Sequence, residues 1–116
     1  LKLKNYLTEE TESHWISYKN KFYGPFKSYQ AAKLRVYLGG LESKTNIQTY
    51  DVETLKYITD PANKGEEDYK SPKIFLAIDK FPLSVKLKNN GFFQSMAELY
   101  KVDLSLVLSP KELKKV

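Results

Sequence analysis

The sequence predicts a single small α+β domain, with a mixed or antiparallel sheet of about five strands and three to four short helices. Three observations lead there. Short apolar runs, alternating or continuous, recur between turn residues, as strands require. Other segments show a cap residue, then helical spacing, then a stop signal. Finally, 116 residues with nine Tyr and six Phe supply one core of independent-domain size.

Leu1 and Leu3 alternate with Lys2 and Lys4, as in a half-exposed strand. Residues 8–13, with Glu9, Glu10 and Glu12, read as a connecting loop. Residues 14–18 and 21–26 form two strands about a tight turn at Lys19-Asn20, because Asn tolerates the positive φ of a two-residue hairpin. Gly24-Pro25 ends the second strand. Ser28 then caps a helix over residues 29–38 that Gly39-Gly40 stops.

Residues 46–50 suit a short strand. Asp51 caps a helix from 52 to about 59, halted by Pro61. Residues 60–72 carry two Pro, one Gly and six charges, and form a loop between two halves of the domain. The apolar run 73–79 reads as a buried strand, in competition with a helix started by Ser71-Pro72; periodicity cannot decide over so few residues. Leu83, Val85 and Leu87 alternate with Ser84, Lys86 and Lys88, which predicts a strand, and Asn89-Asn90-Gly91 predicts a turn. Ser95 and Glu98 match a capping box opening a short helix to about Lys101. Val102, Leu104, Leu106 and Leu108 alternate as a last strand. Ser109, Pro110 and Glu112 then start a C-terminal helix.

The net charge of +5 and pI near 9.2 favour an anionic partner: nucleic acid, held by phosphate contacts without sequence reading, or an acidic protein surface. Arg35 is the only arginine among many lysines. Lysine suits phosphate better than the bidentate reading of base edges. No cysteine is present, which excludes disulfides, thiolate metal sites and thiol nucleophiles. His14 is the only histidine, so His-rich metal sites are excluded too, and no nucleophile-elbow sequence lies near it. Glu42-Ser43-Lys44 and Asp68-Tyr69-Lys70 have an acid-to-lysine spacing seen in metal nucleases, but both lie in loop-like sequence that could not hold a metal rigidly. The expectation is a non-enzymatic protein with no catalytic residues, metal or cofactor. A helix-turn-helix over residues 93–112 is disfavoured, since Lys101 takes the tight-turn position and Pro110 would break the second helix at ~3 kcal/mol. No apolar run reaches bilayer-spanning length and LKLKNYL lacks the apolar stretch of a signal peptide, so a cytoplasmic setting without membrane partners is expected.

The sharpest local feature runs from His14 to Gly40: five Lys and Arg, seven aromatics and no acid. The candidate nucleic-acid-binding set is Trp15, Tyr18, Lys19, Lys21, Tyr23, Lys27, Lys33 and Arg35. Rings would stack on bases and cations would meet phosphates. The competing reading is a well-packed hairpin whose lysines merely edge it.

The run Phe22-Tyr23-Gly24-Pro25-Phe26-Lys27-Ser28, with Ala31-Ala32 and Tyr37, resembles the AP2-type DNA-binding module of integrases and homing endonucleases. The resemblance covers residues 15–37 and lacks that family's arginines. It implies a small antiparallel sheet backed by a helix with paired alanines, with Trp15, Lys19 and Lys21 facing DNA. The same turn is also similar to the peptidoglycan-binding SPOR repeat, where Gly likewise makes the bend, Ser the cap and Ala the close packing.

Overall fold

The structure, a computed structural model, describes residues 12–116. The strand expected at residues 1–4 and most of the expected 8–13 loop lie outside them. Strands β1 (Glu12–Tyr18) and β2 (Lys21–Phe26) lead into helix α1 (Tyr29–Gly39). Strand β3 (Asn46–Asp51), helix α2 (Val52–Thr59), strand β4 (Phe75–Ala77) and helices α3 (Asn90–Tyr100) and α4 (Pro110–Leu113) follow. The described strands make one four-stranded sheet of order β3-β1-β2-β4, one fewer than expected. It is mixed: β1 is antiparallel to β2 and β3, whereas β4 joins β2 in parallel.

The hairpin forms as its turn residues predict. Tyr18 pairs with Lys21, and both intervening residues are left-handed, Lys19 at φ 50 and Asn20 at φ 65. Two positive φ values match the twist of paired strands. Further along, His14 pairs with Phe26 but Ile16 pairs with Tyr23, so β2 carries one extra residue at Gly24-Pro25. This bulge lets an interior strand hold a proline, which has no N–H for the ladder. Gly24 is required there, since a Cβ would sit 2.9 Å from the His14 carbonyl and 3.1 Å from the Trp15 ring.

Strand alternation divides the hairpin's side chains between two faces. Ile16, Tyr23, Ile47 and Leu76 share one face by register. They join a core with Ala31, Ala32, Leu34 and Leu38 of α1, Phe93 and Ala97 of α3, and Phe81, Leu104, Val107 and Leu108. The other face carries Trp15 and Phe22. Phe75 stacks on Phe22 at 4.9 Å and meets the Trp15 ring edge-on at 5.0 Å. Leu55 and Thr59 of α2, with Pro72, surround this aromatic cluster. The hairpin is therefore covered on both sides.

Local caps set the helix boundaries. Ser28 Oγ accepts from Ala31 N at 3.1 Å, and Gly40 ends α1 at φ 68. Asp51 accepts from Thr54 N at 3.0 Å, and Ser109 and Glu112 form both bonds of their capping box.

Four expectations in the second half are corrected. The run 73–79 is only a three-residue strand between 3-10 turns at Pro72–Ile74 and Ile78–Lys80. Residues 83–88 do show the predicted burial, with Leu83, Val85 and Leu87 half-buried, yet they form no strand. Instead Ser84 N and Oγ both donate to the Leu38 carbonyl at 2.8 Å, docking this segment on the end of α1. Residues 102–108 fold around a 3-10 turn at Leu104–Leu106, started by Asp103 accepting from Ser105 N at 2.8 Å. Helix α3 also begins at Asn90, absorbing the predicted turn, and Ser95 lies inside it rather than capping it. The helical spacing of Phe93, Met96, Ala97 and Tyr100 explains the longer helix.

Candidate nucleic-acid interface

The structure scatters the eight predicted residues. Arg35 is the clearest correction: it is 0% exposed and has no surface to offer phosphate. It occupies the buried stripe of α1, one turn after Ala31 and one before Leu38. A buried charge is tolerable only when paired and hydrogen-bonded. Its two terminal nitrogens donate at 2.8 Å to the two carboxylate oxygens of Glu112, and also to the carbonyls of Val107 and Phe81. Burial pushes the Glu112 carboxyl up, but hydrogen bonds from Arg35 and the Ser109 backbone, with the Arg35 charge, outweigh it and hold the pKa below the usual range.

Trp15 and Tyr23 are also buried and present no stacking surface. Trp15 Nε1 donates to Ser13 Oγ at 2.9 Å, and the Tyr23 ring packs edge-on against Phe81 at 5.3 Å. Both rings serve the packing on their own face of the sheet. Tyr18 is half-buried, edge-on to Phe81 at 6.0 Å, with Lys19 Nζ 5.3 Å from its ring centre. Lys19, Lys21, Lys27 and Lys33 are exposed. Lys27 lies just beyond the far end of β2 from Lys21, whose pairing from Tyr18 back to His14 spans four residues, about 13 Å at ~3.3 Å per residue. It therefore does not share the hairpin tip.

A different surface comes together on α1. Tyr29, Lys33 and Tyr37 recur every fourth residue and form one stripe on its outer side. Tyr29 is 49% and Tyr37 40% exposed, with Lys33 Nζ 5.9 Å from the Tyr29 ring centre. These residues line an open groove with Val36, Asn46, Ile47 and Tyr100 and with one acid, Glu42. The Tyr100 ring tilts by 35° against Tyr37 at 6.2 Å. Burial, then the neighbouring Tyr37 and Glu42, raise the Tyr100 pKa and keep its phenol neutral. At the other end, His14 packs edge-on to Tyr29 at 6.4 Å while its Nδ1 pairs with Thr49 Oγ1 at 2.8 Å. Burial lowers the His14 pKa against the opposing pull of Glu12, which favours the neutral ring.

The groove adjoins the hairpin tip. Asn46, which lines it, pairs with Ser17 on β1. Lys19 is two residues beyond Ser17, roughly 7 Å along the strand direction. One end of the sheet thus presents Lys19 and Lys21 beside a tyrosine-lined groove that holds Lys33. The fourth-residue spacing of Tyr29, Lys33 and Tyr37, on the side of α1 opposite its alanines, was the sequence signal for this surface.

No protein-family model, curated protein or solved structure matches the chain. Among the described residues, no three His, Asp or Glu side chains gather closely enough to hold a metal ion, and no helix is long and apolar enough to cross a membrane.

Proposed function

We propose that this chain is a non-enzymatic, cytoplasmic nucleic-acid-binding or nucleic-acid-associated protein that grips phosphates without reading base sequence. One observation carries the proposal. Among the described residues the only ion pair is Arg35 with Glu112, so Lys19, Lys21 and Lys33 stand exposed with no carboxylate partner. Cations in that state are free to replace the counterions of a nucleic acid, and the released ions drive binding. The sole arginine is sealed in the core, which removes the usual bidentate reader of guanine. Both sheet faces are covered, and the Trp15 face that an AP2-like arrangement would turn towards DNA is closed by Phe75 and α2, so the open surface is the outer side of α1.

The test is fluorescence anisotropy with labelled oligonucleotides between 50 and 200 mM salt, in ranges where counterion release is steep. Affinity should fall linearly on a log–log plot. Reversing Lys19, Lys21 and Lys33 to Glu should abolish most of that slope. Salt-independent binding, or a triple variant that binds as well as the parent, would overturn the proposal.

A second reading, a module binding an acidic patch on a larger protein, draws on α3. Leu99 is 71% exposed, and Phe92 and Met96 are half-buried at helical spacing from it. A partner that survives nuclease treatment in a pulldown and is lost on Leu99→Glu, which removes the apolar contact and repels an acidic surface, favours this reading. One that nuclease removes favours nucleic acid.

A further inference from the structure

From the α1 groove we infer a narrower ligand class, resting on the nucleic-acid reading above: the protein holds single strands, with unpaired bases stacking on Tyr29 and Tyr37 and a phosphate on Lys33 between them. Tyr29 and Tyr37 are eight residues apart on one helix, so their rings are spaced about 12 Å along its axis at ~1.5 Å per residue. Both keep much of their surface open, whereas the hairpin rings Trp15 and Tyr23 do not. Lys33 lies midway and is exposed, and α1 has no acid along its length.

The geometry discriminates between single strand and duplex. A duplex shows only base edges in its grooves, because each base face is covered by its stacked neighbour. Tyrosine rings fixed on a helix surface can meet a base face only where the base is unpaired, and such stacking tolerates any sequence. The open groove is also lined by the half-buried Ile47 and the buried Val36, so its floor beside the tyrosines is apolar. Lys19 and Lys21 at the adjoining hairpin tip continue the cationic track for the strand leaving the groove.

The test compares a labelled 12-mer of deoxyuridine, a 12-mer of uridine and a 12-base-pair duplex, all with the intact protein at matched salt. Either single strand should bind at least about tenfold more tightly than the duplex, as expected if two stacked bases are added to equal phosphate contacts. A preference between the two single strands assigns DNA or RNA through the 2′-hydroxyl. Tyr29→Ala with Tyr37→Ala should weaken single-strand binding at least about twentyfold and leave the duplex unchanged, while Tyr29→Phe with Tyr37→Phe retains binding because the rings remain. Both tyrosines are exposed, and the Phe variant separates loss of stacking from loss of fold. Duplex bound as tightly as single strand, with a normal salt slope, overturns this inference and leaves the phosphate-binding proposal standing. No salt-dependent binding of any oligonucleotide overturns both.

Discussion

Arg35 and Glu112, 77 residues apart in sequence, meet through two parallel 2.8 Å hydrogen bonds inside the core. The guanidinium also donates to the Phe81 and Val107 carbonyls, while Glu112 accepts from Ser109 N at 2.9 Å. One buried pair therefore ties α1 to α4 and to the two irregular segments that pass between them. Those segments have few ladder bonds of their own, so the pair supplies fixed acceptors and donors where a sheet would otherwise have done so.

Removing one partner should cost much more than removing both. Arg35→Met leaves the Glu112 carboxylate buried without its cation, and a loss of about 3–5 kcal/mol is expected. Arg35→Met with Glu112→Leu removes the charge problem and should recover most of this. The lost capping bond at Ser109 limits the recovery by about 1 kcal/mol. Urea denaturation measures all three proteins. A single Arg35→Met variant within 1 kcal/mol of the parent would mean that water or another group satisfies the carboxylate.

The same pair sets an acid limit on stability. The folded-state pKa of Glu112 lies below its unfolded value, so the stabilisation is present above the unfolded pKa, about 4.3. It is lost as pH falls from there through the folded pKa. Thermal melts of the parent should therefore drop in this acid range. Glu112→Gln cannot titrate, and its melting temperature should change less over the same interval. Parallel pH profiles for the two proteins would show that other carboxylates carry the acid response.

These contrasts explain what was legible in the sequence. Ser28, Gly40, Asp51 and Ser109 act through bonds to residues three or four positions away, so local sequence placed α1, α2 and α4 closely. Alternation at residues 83–88 correctly reported which side chains turn inward. It could not report pairing, because an extended chain over a core needs the same alternation whether its backbone bonds a strand or, as Ser84 does, the end of a helix. Trp15 failed as a candidate for a long-range reason: the closing of the far sheet face by α2 and Phe75 depends on tertiary packing. Arg35 carried part of the signal, since its 31, 35, 38 spacing puts it on the inward stripe of α1, and a guanidinium buried there needs an acid beside it. The capping box already held that acid at Glu112.

Lys101 offers a direct gain in stability. It ends α3 in the left-handed region at φ 58, with its N–H bonded to the Ala97 and Glu98 carbonyls. Glycine adopts this conformation without the Cβ clash, so Lys101→Gly should stabilise by about 1 kcal/mol. The expected readout is a higher urea midpoint with an unchanged m-value. A destabilised variant would show that the lysine makes compensating contacts.

Lys19 should separate stability from binding. It takes the first position of the hairpin turn at φ 50, where Asn is far better suited, and the left-handed strain on a lysine is of order 1 kcal/mol. Against this, Lys19 Nζ lies 5.3 Å from the Tyr18 ring centre, and an exposed cation–π contact is worth about 0.5 kcal/mol. Relief of strain wins, so Lys19→Asn should stabilise the fold by a net ~0.5 kcal/mol. In the proposed function the same ammonium meets a phosphate at the mouth of the groove. Its loss should lower the log–log salt slope by about 0.7 to 0.9. The two effects have opposite sign, which a purely structural lysine would not produce. Equilibrium unfolding and salt-dependent anisotropy on the one variant decide the matter: a stabilised protein with an unaltered salt slope would take Lys19 out of the interface.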